Sequence, residues 1–204
     1  MRVQPRTVWV GMVTVAFIVA IVGFTLPWVQ HEGASLRMNA NDLAEWTSLH
    51  PQVSAQTPAL FTTFILRLSF SLVAVLFAMQ SFRSVFFRFL TLGVLVLISI
   101  AQLPPFEFIT AFDNPNYSQQ TMIAIGTLIF GILAWNFHQK ASLIRLGLAV
   151  ATCISIVVGV LTTQPLMDSY QIQTTIGTGA MVASVAILMV LGLNYMQNKQ
   201  GYLR

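Results

Sequence analysis

Residues 59–88 read ALFTTFILRLSFSLVAVLFAMQSFRSVFFR, a long apolar run that carries one cation, Arg67, and closes on two more, Arg83 and Arg88. Crossing about 30 Å of hydrocarbon takes roughly 20 residues of helix, and the run from 59 to 80 is long enough to do it. Short loops rich in Lys and Arg stay on the cytoplasmic side, so the two arginines after the run give it a direction, entering from outside and ending inside.

The rest of the chain repeats this pattern. Arg2 and Arg6, Arg83 and Arg88, Lys140 and Arg145, and Lys199 and Arg204 occupy four short segments, and these alternate with three segments that hold all the acidic residues: Glu32, Asp42 and Glu45, then Glu107 and Asp113, then Asp168. Apolar runs over about 7–29, 59–80, 86–103, 119–137, 143–163 and 174–196 separate them. The sequence therefore predicts an all-α integral membrane protein with six transmembrane helices in a single domain, both termini cytoplasmic, and a larger outer loop over 30–58. Arg37 is the one cation of the outer loops, in a loop that also holds three acids.

Composition agrees with this reading. At 56% hydrophobic and 8% charged residues, against a usual charged share of about 25%, a soluble domain would lack polar surface. The net charge of +4 sits at helix ends, where cations meet lipid headgroups, so nucleic-acid binding is not expected. The single cysteine, Cys153, permits neither an intrachain disulfide nor a thiolate metal site. The first apolar run is longer than a signal peptide's h-region and no Ala-x-Ala site follows Trp28, so it reads as a retained anchor. Trp9, Trp135 and Tyr195 fall at the inner ends of the spans, and Trp28, Trp46, Tyr117 and Tyr170 at the outer ends, as aromatic belts do.

Two patterns bear on packing. Residues 117–126 (YSQQTMIAIG) align with 170–179 (QIQTTIGTG after Tyr170) at five of ten positions, and a proline lies near the outer end of each outgoing helix, which is consistent with three tandem helical hairpins. Gly147, Ala151, Ser155 and Gly159 place a small residue at every fourth position of the fifth helix, on one face where another backbone can approach closely. Gly179 and Ala183 form a shorter version on the sixth, so the fifth and sixth helices are expected to pack together, or one of them on a partner chain. The third helix, from Leu90 to Ile100, is bulky all round and reads as facing lipid or another hydrophobic subunit.

Arg67 is the one ionisable residue well inside a predicted span, about 12 Å below its outer end at 1.5 Å per residue. A charge at such depth costs about 2.5 to 3.5 kcal/mol on insertion scales, which makes it a functional candidate by default. Its side chain leans outward, along Thr63, so snorkelling to the headgroups is one expectation. An ion pair with Glu107, Asp113, Asp168 or an acid of the first outer loop is a second. Contact with a partner subunit or an anionic headgroup is a third, and a transport or quinone-site role a fourth.

In the first outer loop Asn41 is expected to cap a short helix from Asp42 to His50 that lies flat at the interface on Leu43, Trp46 and Leu49. Trp46 and His31 are candidates for docking a partner there. No His-x-x-x-His spacing supports a metal. The second outer loop surrounds Glu107 and Asp113 with Pro104, Pro105, Phe106, Phe108 and Phe112, the composition of an interfacial plug or of a pocket for a quinone head. Buried haem is not expected, because His138 lies at an inner helix end and His31 and His50 lie outside the spans. No carboxylate or lysine lies inside a span, as proton and ion pumps require.

These readings converge on a non-catalytic integral subunit that scaffolds a larger membrane complex, with respiratory or photosynthetic electron transfer as the natural setting. The alternatives are a small transporter or permease component that holds an anion at Arg67, and a quinone- or lipid-interacting protein. Membrane lipids and other integral subunits are the expected partners; no cofactor is required, with quinone or lipid the candidates.

Overall fold

The computed structural model describes residues 5–31, 36–80, 84–108, 110–111, 113–136 and 142–201. Of the residues named above, Arg2, Glu32, Arg83, Phe112, His138, Lys140 and Arg204 lie outside these, as do the side chains of Arg6, Glu107 and Lys199.

The first helix, α1, runs Pro5–Thr25, with proline at the first position, where its missing N–H costs nothing. Beyond it the chain turns back and buries Trp28 completely; the indole Nε1 donates to the Gly23 carbonyl at 3.0 Å. Trp28 is therefore a packing residue of the helix end and not part of a headgroup belt. Three two-residue strands follow from this turn: β1 (Val29–Gln30) pairs antiparallel with β2 (Arg37–Met38), and on its other side with β3 (Thr175–Ile176). This small sheet, the one departure from helix and turn among the described residues, ties the loop after α1 to the loop before the last helix.

Next come α2 (Ala40–Ser48), α3 (Pro51–Ser54), α4 (Phe61–Ala78) and α5 (Val85–Ala101). A single turn of 3-10 helix at Phe106–Phe108 precedes α6 (Pro115–Asn136), α7 (Ser142–Ser169) and α8 (Thr178–Gly201). Five of these helices, α1, α4, α6, α7 and α8, are long and apolar enough to cross a membrane. The 17 residues of α5 span only about 26 Å at 1.5 Å per residue. Pro104 and Pro105 end it, since a proline bars the residue before it from helical geometry.

The helix boundaries shift most where proline and turn chemistry compete with apolarity. α7 does not stop at residue 163 but runs on through Pro165, to about 42 Å of helix. That proline lies inside the helix near its end, and it leaves the Leu161 carbonyl without a backbone donor. The aligned segments 117–126 and 170–179 take up different structures. The first is helical throughout as part of α6, whereas the second passes through a turn, the strand β3 and the first residues of α8. The likeness of these two segments is one of sequence and not of local structure.

α4 is the hub of the bundle, packed against α1, α2, α5, α6 and α7, and most of its residues are buried: Leu66, Phe70, Val73, Ala74 and Leu76 on all sides of its axis. Between helices that face lipid, hydrophobic burial supplies little drive, so close van der Waals packing at small residues matters most. α7 and α8 pack against each other, and their small residues also meet other helices. Ser155 and Gly159 are buried against α4, where Ser155 Oγ donates to the Ile65 carbonyl at 2.8 Å and a methyl built on Gly159 would come within 2.8 Å of Leu66 Cδ2. Gly147 and Ala151 of the same stripe are exposed. Gly179 and Ala183 pack on α1: a Cβ on Gly23 would lie 2.6 Å from the Ala183 nitrogen, and one on Gly179 would lie 2.7 Å from the Gly23 oxygen. The first and last helices thus approach each other closely, backbone to backbone, at Gly23 and Ala183.

Candidate functional site

The polar site of the bundle is built around Arg67, six residues into α4 or about 9 Å below its start. Only 5% of its side chain is exposed. Its charge is met by Glu45 of α2: Arg67 Nη2 donates to Glu45 Oε1 at 2.8 Å. Arg67 Nη1 donates to Gln119 Oε1 of α6 at 3.2 Å, and the amide nitrogen of the next residue, Gln120, donates to the same Glu45 oxygen. Adjacent glutamines on one helix thereby grip both halves of the ion pair. Glu45 is 54% exposed, so the pair has one foot in the protein and one at its surface.

Local sequence puts Glu45 there. Asn39, not Asn41, caps α2, its side chain accepting from the Asn41 and Asp42 nitrogens at 2.8 and 3.1 Å, the usual role of an N-cap side chain. Leu43, Ala44 and Thr47 form the buried face, while Leu49, expected on the apolar side, is 81% exposed. α2 lies against α4: Thr47 and Thr63 share a hydrogen bond at 3.0 Å between buried hydroxyls. The start of α4 is held from the other side. Leu60 takes a left-handed conformation, with φ of 57°, which costs a non-glycine residue some strain. Its N–H donates to the Val53 carbonyl at 3.0 Å, and its own carbonyl accepts from Gln119 Nε2 at 3.3 Å.

One turn deeper a second polar chain continues. Thr127 Oγ1 of α6 donates to Ser71 Oγ at 2.8 Å, and Ser71 Oγ donates to Gln102 Oε1, at the end of α5, at 3.0 Å. A small cavity of about 50 Å³ lies between the two chains, with Glu45, Arg67, Gln102 and Gln120 in its walls. Along α4 and α6 a much larger apolar groove of about 870 Å³ runs from Pro115 and Gln119 to Leu133 and Ile144, and Ser71 and Thr127 contribute to its wall.

Of the residues the sequence singled out, Arg67 is the centre of the site, and its counter-ion comes from the first loop through Glu45. Asp113 and Asp168 stay exposed. Trp46 is half-buried in the fold, with its ring 5.6 Å from His50 and 6.1 Å from Tyr170, centroid to centroid. His50 is buried, accepts the Gln52 N–H at Nδ1 (3.2 Å) and meets Ser169 Oγ through Nε2 at 3.1 Å. These rings pin α2 to the end of α7. His31 sits in the turn between β1 and β2, its N–H donating to the Leu36 carbonyl. In the second loop Phe108 stacks on Tyr117 at 4.7 Å, while Phe106 is 86% exposed. Among the described residues no three of His, Cys, Asp and Glu come together as metal ligands.

Sequence reasoning missed Gln102, Gln119, Gln120, Ser71 and Thr127. A signal was present: Arg67 and Ser71 are four residues apart, as are Gln119 and Ile123 ahead of Thr127, so the polar residues of α4 and α6 lie on facing stripes. Comparison with protein-family models, with curated proteins and with solved structures finds no match to this chain in any of the three.

Proposed function

We propose that this chain is a six-span integral protein of the cell membrane, with both termini cytoplasmic, and that it serves as a non-catalytic subunit which scaffolds a larger membrane assembly. The observation that carries this reading is the closure of Arg67 by Glu45, Gln119 and Gln120. An arginine already neutralised by its own chain is poorly suited to hold a transported anion, and well suited to fix α2 to α4 and α6. Removal of one partner from such a pair is costly, which is the behaviour of a structural tie. α5 supplies the surface for a partner. It packs on α4 and α6 and turns Phe86, Phe89, Leu97 and Ile100 outward, a bulky ridge on the shortest span.

Purification in mild detergent followed by mass spectrometry tests this reading. The expected result is one or more other integral membrane proteins in constant ratio to this chain, lost when Phe89 and Leu97 are replaced by alanine. Isolation as a lone monomer, with the same behaviour in that variant, contradicts it.

A second reading, a lipid- or quinone-interacting protein, is favoured by the groove along α4 and α6. Its size, about 870 Å³, lies within the range of about 300 to 1,000 Å³ typical of small-molecule sites. A lipid or quinone that co-purifies in fixed ratio, and is lost on Gly126→Phe, would support this reading over the first.

A further inference from the structure

His50 stands where the short helices α2 and α3 meet the end of α7, and the hydrogen bonds around its ring fix its tautomer. Nδ1 accepts the Gln52 N–H at 3.2 Å and so caps α3, which a nitrogen bearing its own proton cannot do. The single proton of the neutral ring is therefore on Nε2, and it is donated to Ser169 Oγ at 3.1 Å. Ser169 Oγ in turn donates to the Leu166 carbonyl at 2.7 Å. Both ring nitrogens are thus used, and both in the neutral form. The residue is 4% exposed and lies against the rings of Trp46 and Tyr170, the second of them edge-on at 4.8 Å between centroids.

What this ring holds is a small unit. Val53, Leu60 and Leu166, with Trp46 against them, form an apolar cluster separate from the main core. α3 and the turn after it therefore depend on few buried contacts, as segments that open locally do. No carboxylate stands ready to pair with an imidazolium. On α2, Glu45 is engaged by Arg67 of α4 and Asp42 is exposed; α3 and the turn after it carry no charged residue; at the end of α7, Asp168 and Tyr170 are exposed. Among the described residues none of these acids lies within ion-pair distance of His50. Protonation would put an N–H on Nδ1 against the Gln52 N–H, and a charge in a buried place. We propose that His50 is a pH-sensitive latch, which holds α3 to the end of α7 when neutral and releases it when protonated. The bonded form is the neutral one, so the latch is intact above the ordinary imidazole range and is lost as pH falls below about 6.5.

Hydrogen exchange of the full chain in detergent, read by mass spectrometry of its peptides and corrected for the intrinsic effect of pH on exchange, tests the latch. An imidazole that takes up its proton in the open state alone makes opening about tenfold more favourable between about pH 7.5 and pH 5.5. The protection of residues 52–60 is expected to fall by that factor, while that of α8 stays unchanged. His50→Asn keeps a side chain that caps a helix but does not titrate, and its protection over 52–60 is expected to be the same at both pH values, whatever its level. No fall in the unsubstituted protein, an equal fall in His50→Asn, or a fall shared by all the helices overturns the proposal. Nitrogen NMR of the labelled imidazole at neutral pH is a second test that does not depend on how the variant folds: a proton on Nε2 is expected, and a proton on Nδ1 overturns the proposal.

Discussion

Replacing Glu45 by glutamine is expected to destabilise the protein by about 3 kcal/mol, the lower end of the range for removing one partner of a buried ion pair. The effect arises on the other side of the pair. Arg67 is 5% exposed, α4 is held by its packing on the neighbouring helices, and without the carboxylate the charge is met only by neutral amide oxygens, those of Gln119 and of the new glutamine. The lower end of the range applies because Glu45 is half in solvent, where ion pairs are worth less. Arg67→Met should cost less, about 1 kcal/mol, since the freed carboxylate turns to water and the methionine fills the space of the stem. The double variant should then be more stable than Glu45→Gln alone, with a coupling energy of about 2 kcal/mol in the cycle. Equilibrium unfolding in detergent or in bilayers measures all three. Independent, additive effects would mean that something other than Glu45 neutralises Arg67.

Gly23→Leu is expected to leave little folded protein. A single methyl at this position would lie 2.6 Å from the Ala183 nitrogen and 2.9 Å from its Cα, both backbone atoms that cannot turn aside. Overpacking in a tight core costs about 1 to 3 kcal/mol, and more where backbone must move. Here α1 and α8 would have to separate along their closest contact, which would also pull Trp28 from the Gly23 carbonyl and strain the joint between β1 and β3. The controls are glycines with nothing within 4 Å of a built Cβ, Gly11 and Gly147. Alanine at either should be neutral or stabilising by up to about 1 kcal/mol, from helix propensity alone. Yield and unfolding midpoint in detergent report both outcomes. A Gly147→Ala variant as damaging as Gly23→Leu would restore the full small-residue stripe of α7 as a packing face.

The helices were legible because a long apolar run has few other solutions, and each of the five long helices falls on a run read from hydropathy. The ends were less so. The apolar run reaches residue 29, four beyond the end of α1 at Thr25, because a tryptophan near a span end suits a headgroup belt and a buried indole equally well. What decides between them is the Gly23 carbonyl, a partner that sequence does not display. The stripe on α7 shows a similar limit: spacing places four small residues on one face but does not say which helix comes to meet it, and α4 covers only Ser155 and Gly159.

The site was half legible. Arg67 stands out as the one cation within a span, and the first loop was among the places its counter-ion was sought. Glu45 itself could not be chosen, because which face of α2 turns to the bundle is not set by its own residues. Spacing alone points to a face of Leu43, Trp46 and Leu49; in the fold the buried face carries Leu43, Ala44 and Thr47, and Thr47 meets Thr63. Asn39 and Asn41 have the same capping chemistry. Tertiary packing on α4 makes the choice. The glutamines were invisible for another reason: an uncharged amide in an apolar run is not itself a signal, and only a charge nearby gives it a role.

The account rests on α2 being part of the helical bundle, clamped to α4 beside the Glu45–Arg67 pair. Thr47 and Thr63, whose hydroxyls lie 3.0 Å apart in that contact, test it most directly. With Cys153 replaced by serine, Thr47→Cys and Thr63→Cys should form a disulfide on mild oxidation in native membranes, detected by mass spectrometry of the linked peptides. The cross-link should weaken markedly when Glu45→Gln is added. Two free thiols after oxidation, in a protein that still folds, would show α2 lying away from α4 and would contradict the account.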